Sequence, residues 1–238
     1  MRLRPAIPVA AAIVSLAALT SGAAASTSAP RAAQATHARF VCYPAQFSPF
    51  GAQTRTIVDQ FSKLATVSFT MPETVCAPAP GLSTGYLTCY TISAVKSAAT
   101  PGPVHASDEF GKSISVAPAK LLTLCLPSAR VDGGGSGVTS KGLDRFTCYA
   151  AKASVVTHQG VPVVDDFGNT NDSIGAPLRF CAPAAWKGSS VADSTRFLSC
   201  YTDQSATKGK IVILRNEFGY LKAALGPRAW LCATATLS

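Results

Sequence analysis

Apolar and polar residues alternate with a two-residue period through much of the chain, as they do in strands that turn one face to a core. The segment "TVSFTM" puts Val67, Phe69 and Met71 on one side and Thr66, Ser68 and Thr70 on the other. "KIVILRN" instead runs through consecutive β-branched positions. No stretch repeats apolar residues at three- and four-residue spacing, so the pattern predicts an all-β protein without helices.

The alternation recurs in four units. Each has Cys-Tyr, an extended stretch, an acidic or amide residue shortly before Phe, a second extended stretch, Pro, and a second Cys. The cysteines are Cys42 and Cys76, Cys89 and Cys125, Cys148 and Cys181, Cys200 and Cys232. They are 34, 36, 33 and 32 residues apart within units, against 13, 23 and 19 between units. Eight cysteines allow 105 pairings. The regular inner spacing selects one disulfide per unit, and no C-x-x-C or H-x-x-x-H spacing offers zinc a site.

The strand period also orients the tyrosines. Phe40, Leu87, Phe146 and Leu198 lie two positions before a Cys and share its inward face. Tyr43, Tyr90, Tyr149 and Tyr201 take the opposite face with Val41, Thr88, Thr147 and Ser199. Two readings stay open there: cross-strand packing of the rings, or exposed rings that bind a ligand. The four tyrosines are therefore the candidate binding residues.

"VDQFS", "SDEFG", "VDDFG" and "RNEFG" read as hairpin turns. Asp59, Asp108, Asp165 and Asn216 open them, bonding the following backbone, and Gly111, Gly168 and Gly219 close them. Ser62 replaces Gly in the first unit, which predicts a strained or differently opened turn there. Pro72, Pro118, Pro177 and Pro227 are expected to break the returning strand ahead of the second Cys.

The N-terminus adds a compartment. Arg2 and Arg4, an apolar run and small residues ending at Ala25 form a secretory signal over residues 1–25, followed by a disordered segment over 26–36. The chain is then secreted to the extracellular space or cell envelope, where disulfides persist. No later stretch is long enough to span a bilayer. The Gly/Ser-rich segment 131–142 reads as a linker between two small β-sandwich or barrel-like domains, 37–130 and 143–238, each holding two units. Formal charge is +9, or +7 without Arg2 and Arg4, but the cations are scattered. Nucleic acid is accordingly not an expected partner; the diffuse charge suits anionic cell-wall polymers or lipid headgroups.

Candidate chemistry is sparse. His37, His105 and His158 occupy unrelated places in the repeat, and no nucleophile elbow, zinc-helix or phosphate-loop motif is present. The carboxylate pairs Asp108-Glu109 and Asp165-Asp166 raise glycoside hydrolysis, but a turn role covers all four units and an acid/base role only two. Asp165, Asp166, Asn169, Asn171 and Asp172 offer oxygens to calcium at a spacing unlike a known calcium loop. No cofactor, metal or catalytic residue is assigned.

The sequence of Cys-Tyr, D-x-F-G, Pro and C-x-P ("CAPA" at Cys76 and Cys181, "CLPS" at Cys125) resembles an uncharacterised family of secreted bacterial repeat domains. The fourth unit departs from it with Asn216 and "CATA" at Cys232. The resemblance implies secretion and a β repeat, and it supplies no active site. The expected function is a non-catalytic binding or structural module contacting an extracellular or cell-surface ligand. A hydrolase with a site between repeats and a secreted inhibitor are the alternatives. Ligand and oligomeric state stay unassigned.

Overall fold

The computed structural model describes residues 39–79, 85–96, 102–112, 114–132, 142–153, 157–205 and 210–237. The signal (1–25), the segment 26–36 and most of the linker (133–141) lie outside the described residues. In chain order the strands are β1 (Arg39–Phe47), β2 (Gln53–Asp59), β3 (Ala65–Pro78), β4 (Tyr86–Lys96), β5 (Val104–Ser107), β6 (Ile114–Arg130), β7 (Arg145–Lys152), β8 (His158–Asp165), β9 (Gly168–Trp186), β10 (Phe197–Asp203), β11 (Ile211–Asn216), β12 (Gly219–Leu225) and β13 (Trp230–Leu237). The protein is all-β, as the alternation requires.

Eight strands close a ring. β1 pairs β3, β3 pairs β4, β4 pairs β6, β6 pairs β7, β7 pairs β9, β9 pairs β10, β10 pairs β13, and β13 returns to β1, every pair antiparallel. Within each unit the two cysteines stand directly opposite one another, with Cα atoms 3.9–4.0 Å apart, and are bonded: Cys42–Cys76, Cys89–Cys125, Cys148–Cys181 and Cys200–Cys232. Between units the register slips by two residues, so Thr74, Thr123, Arg179 and Trp230 face Cys89, Cys148, Cys200 and Cys42. An eight-stranded ring leaves just enough room for side chains to fill. Here half-cystines form the middle layer, between Phe40, Leu87, Phe146 and Leu198 at one end and the Thr74 layer at the other.

Outside the ring lie four hairpins, β2–β3, β5–β6, β8–β9 and β11–β12. Three of them pair with the unit two places along: β2 with β9 at Ile57↔Trp186, β5 with β13 at Ser107↔Thr236, and β11 with β6 at Leu214↔Arg130. Among the described strands β8 pairs β9 alone.

This interlocking corrects the two-domain expectation. Residues Thr36–Ser238 form one compact unit, because a cut at 131–142 would part the first unit from the third and the second from the fourth. Val131 itself donates its N–H to Ile213 O at 2.9 Å. The prolines need correcting too. Pro72, Pro118 and Pro177 sit inside β3, β6 and β9 at or beside register shifts, bending each strand from hairpin to ring without ending it. Only at Pro227 does the strand break, between β12 and β13.

Candidate functional site

Tyr43, Tyr90, Tyr149 and Tyr201 point away from the cysteines, as the period demands, yet each has no exposed surface. The candidate binding surface is therefore not one: a hairpin from the unit two along covers every ring. Asp59 Oδ2 accepts from Tyr149 Oη (2.7 Å), Asp108 Oδ2 from Tyr201 Oη (2.5 Å), and Asp165 Oδ2 from Tyr43 Oη. In the remaining pair Asn216 Nδ2 donates to Tyr90 Oη at 2.8 Å. The turn phenylalanines follow the same crossing. Phe61 packs on Tyr149, Phe110 on Tyr201, Phe167 on Tyr43 and Phe218 on Tyr90, with centroids 5.5, 5.0, 5.2 and 6.0 Å apart.

The turns make this possible. The first oxygen of each opening Asp or Asn side chain holds the backbone: Asp165 Oδ1 accepts from Phe167 N (2.7 Å) and Gly168 N (3.0 Å), Asp108 Oδ1 from Phe110 N (2.8 Å) and Gly111 N (3.1 Å). The second atom is left for the tyrosine. Gly219, at φ +110°, takes a backbone state that L side chains avoid. Ser62 keeps the bonds of the first turn, its N–H donating to Asp59 Oδ1 and its O accepting from Asp59 N at 3.0 Å, and its buried Oγ lies 3.1 Å from Tyr149 Oη.

Burial, and after it the facing carboxylate, holds the phenols of Tyr149 and Tyr201 well above the usual range, and burial pushes Tyr90 up to about 12. All three stay protonated: Tyr149 and Tyr201 donate to their carboxylates, and Tyr90 accepts from Asn216. Tyr149→Phe should destabilise the protein by roughly 1.5–3 kcal/mol, since Asp59 loses a charge-assisted bond in a buried place. Urea unfolding measures this, and a change within about 0.5 kcal/mol would show that the bond contributes nothing.

Two places break the repeat with charge. One is the open end of the ring. Arg179 Nη1 lies 3.3 Å from Glu73 Oε1 and 3.3 Å from Thr123 Oγ1, and its Cζ sits 4.5 Å from the Trp230 ring centre. Thr74 Oγ1 is buried there with no partner among the described residues. The space between these side chains and the disulfides is about 20 Å³ for the centre of a water molecule, room for one water and too little for a substrate.

The other is buried beside the third turn. Arg228 is 3 % exposed. Its Nε donates to Tyr43 Oη (2.9 Å), Nη1 to Asp172 Oδ2 (2.9 Å) and to Thr170, and Nη2 to Gly168 O (3.2 Å), with Asp165 Oδ1 3.3 Å away. The loop that offered oxygens to calcium thus has two carboxylates on this guanidinium, while Asp166 accepts from Tyr86. Asp203, 7 % exposed, faces Asp172 with an Oδ2 that no described donor reaches. Only a shared proton can join two carboxylates. Burial first, then the Asp172 charge, raises the Asp203 pKa to about 6, against a pull downward from Arg228.

A carboxyl whose pKa is higher folded than unfolded stabilises the fold while protonated, so this contribution is whole below about pH 4 and disappears as pH rises through about 6. The shift corresponds to about 3 kcal/mol. The stability of the wild type minus that of Asp203→Asn, from denaturant titrations across this range, should fall by that amount as pH rises. A flat difference would contradict it.

Sequence reasoning passed over Arg228 and Asp203. The signal was available in the repeat: Asp203 stands where other units have Ala45, Ile92 and Ala151, and Arg228 where they have Pro72, Leu121 and Pro177. No family model, curated protein or solved structure matches the chain.

Proposed function

We propose that the chain is a secreted, non-catalytic module, a rigid scaffold that attaches to an extracellular or cell-surface ligand. The observation that carries this reading is where the shared polar groups go. The cysteines, tyrosines and turn Asp or Asn of all four units are spent on one another, inside the protein. Four disulfides belong to an oxidising environment, and the resemblance to secreted bacterial repeat domains points the same way. A hydrolase would need carboxylates that reach a polymer, whereas the Asp165 side chain is fully covered and paired with Arg228.

The test is sedimentation of the purified chain with cell envelopes of the producing organism. The chain should pellet with the envelopes and release no soluble fragments from them. If it stays in the supernatant, the attachment reading fails; if sugars or peptides accumulate, the hydrolase takes its place.

A further inference from the structure

We propose that the outward face of the β11–β12 hairpin docks on an anionic lipid surface. The inference rests on the attachment reading above and names the ligand.

The four hairpins occupy equivalent places in the fold, so their outward positions can be compared. On β2–β3 these are Thr54, Thr56, Thr66 and Ser68, joined across the strands by hydroxyl pairs at 2.9 and 3.4 Å. On β5–β6 they include the opposed His105 and Ser115, and on β8–β9 Pro162 with Asn171 and Val164 with Asn169. On β11–β12 the opposed outward pairs are Ile211 with Ala224, Ile213 with Lys222, and Arg215 with Tyr220. Ile211 is 60 % and Tyr220 69 % exposed. The inward face already has its core residues, Val212, Leu214, Leu221 and Ala223. A strand whose outward face meets only solvent has no need of Ile211 and Ile213 on that face. Three hairpins meet water with hydroxyl, amide and imidazole groups among their outward residues; the fourth presents isoleucine, tyrosine and two cations.

That combination specifies the occupant. The strands of the hairpin carry no outward acidic residue; Glu217 in its turn is paired with Arg145 at 3.0 Å and accepts from Trp186 Nε1 at 2.9 Å, and the neighbouring Asp132 is matched by Arg130 at 2.7 Å. Arg215 and Lys222 therefore act on an approaching anion without local competition. A hydrated polyanion would be served by the cations alone. Exposed isoleucines, a tyrosine with an apolar ring and polar tip, and cations on long apolar stems fit the boundary between headgroups and acyl chains.

Flotation of the full chain with vesicles tests this, using phosphatidylcholine alone or mixed equally with phosphatidylglycerol. The chain should float with the mixed vesicles and not with phosphatidylcholine. Lys222→Glu should lower partitioning by at least about fivefold, and Ile213→Thr with Tyr220→Ser by about tenfold. Thermal melts should stay unchanged, because the altered side chains point outward. Wild type and variants share one N-terminus, so their difference reports the hairpin. Equal flotation of wild type and variants, or equal flotation on both vesicles, would overturn the proposal. So would equal affinity for soluble polyphosphate untouched by the Ile213/Tyr220 change, or a dimer that this change dissociates. Envelope binding that persists without vesicle binding would sink this inference alone and leave the attachment reading standing.

Discussion

Replacing Cys200 and Cys232 together by alanine should lower the melting temperature by about 10 °C, corresponding to roughly 4 kcal/mol. The bond closes a chain segment of 32 residues, and opening it returns that loop entropy to the unfolded state, on the entropic account of disulfides. Two further terms add to it. The half-cystines are the middle layer of the ring, and Cys232 Sγ touches Cys42 Sγ at 3.6 Å while Cys181 and Cys200 Sγ lie 4.0 Å apart. With every cysteine bonded these are van der Waals contacts between disulfides, so alanines leave a void among them. The loop also contains β11–β12, whose turn supplies Asn216 to Tyr90 in the second unit. Loosening the fourth unit should thus raise amide exchange around Tyr90, far along the chain. A variant melting within about 2 °C of wild type would contradict the account; normal protection around Tyr90 would show that the units do not depend on their crossed contacts.

The disulfide pairing was legible because it depends on local quantities: spacing within a unit and the two-residue period that turns Cys and Phe or Leu the same way. The burial of the tyrosines was not. A period tells which face a side chain takes, and what covers that face comes from a unit roughly 100 residues away, as in Tyr149 with Asp59 or Tyr201 with Asp108. One sign of the cover was present. Phe61, Phe110, Phe167 and Phe218 sit in turns that solvated hairpins would build from polar residues, which marks the turns as docked against something. The division into two domains failed for the same reason. Glycine-rich composition at 131–142 is a local property of the sequence and is silent about pairings that straddle it.

The buried charges should show the strongest single-residue dependence. Arg228→Met is expected to destabilise the protein by about 3–5 kcal/mol at neutral pH, since it leaves the carboxylates of Asp165 and Asp172 in a covered place without their cation. Methionine replaces much of the volume, so lost packing explains little of that cost. The charge origin can be separated in two ways. Adding Asp172→Asn to Arg228→Met should recover a large part of the loss, and the coupling between the two changes should exceed about 1 kcal/mol in a double-mutant cycle. Lowering the pH should also shrink the penalty, because protons can then take the place of the missing cation. Asp203 sharpens the effect: without Arg228 only the Ser205 N–H, 3.0 Å from Asp203 Oδ1, still opposes the burial and the Asp172 charge that already raise its pKa to about 6, so its titration should move further upward. Denaturant titrations of the four combinations at two pH values measure all of this. An Arg228→Met variant within about 1 kcal/mol of wild type at neutral pH would mean that the guanidinium does not compensate these carboxylates and that water reaches them.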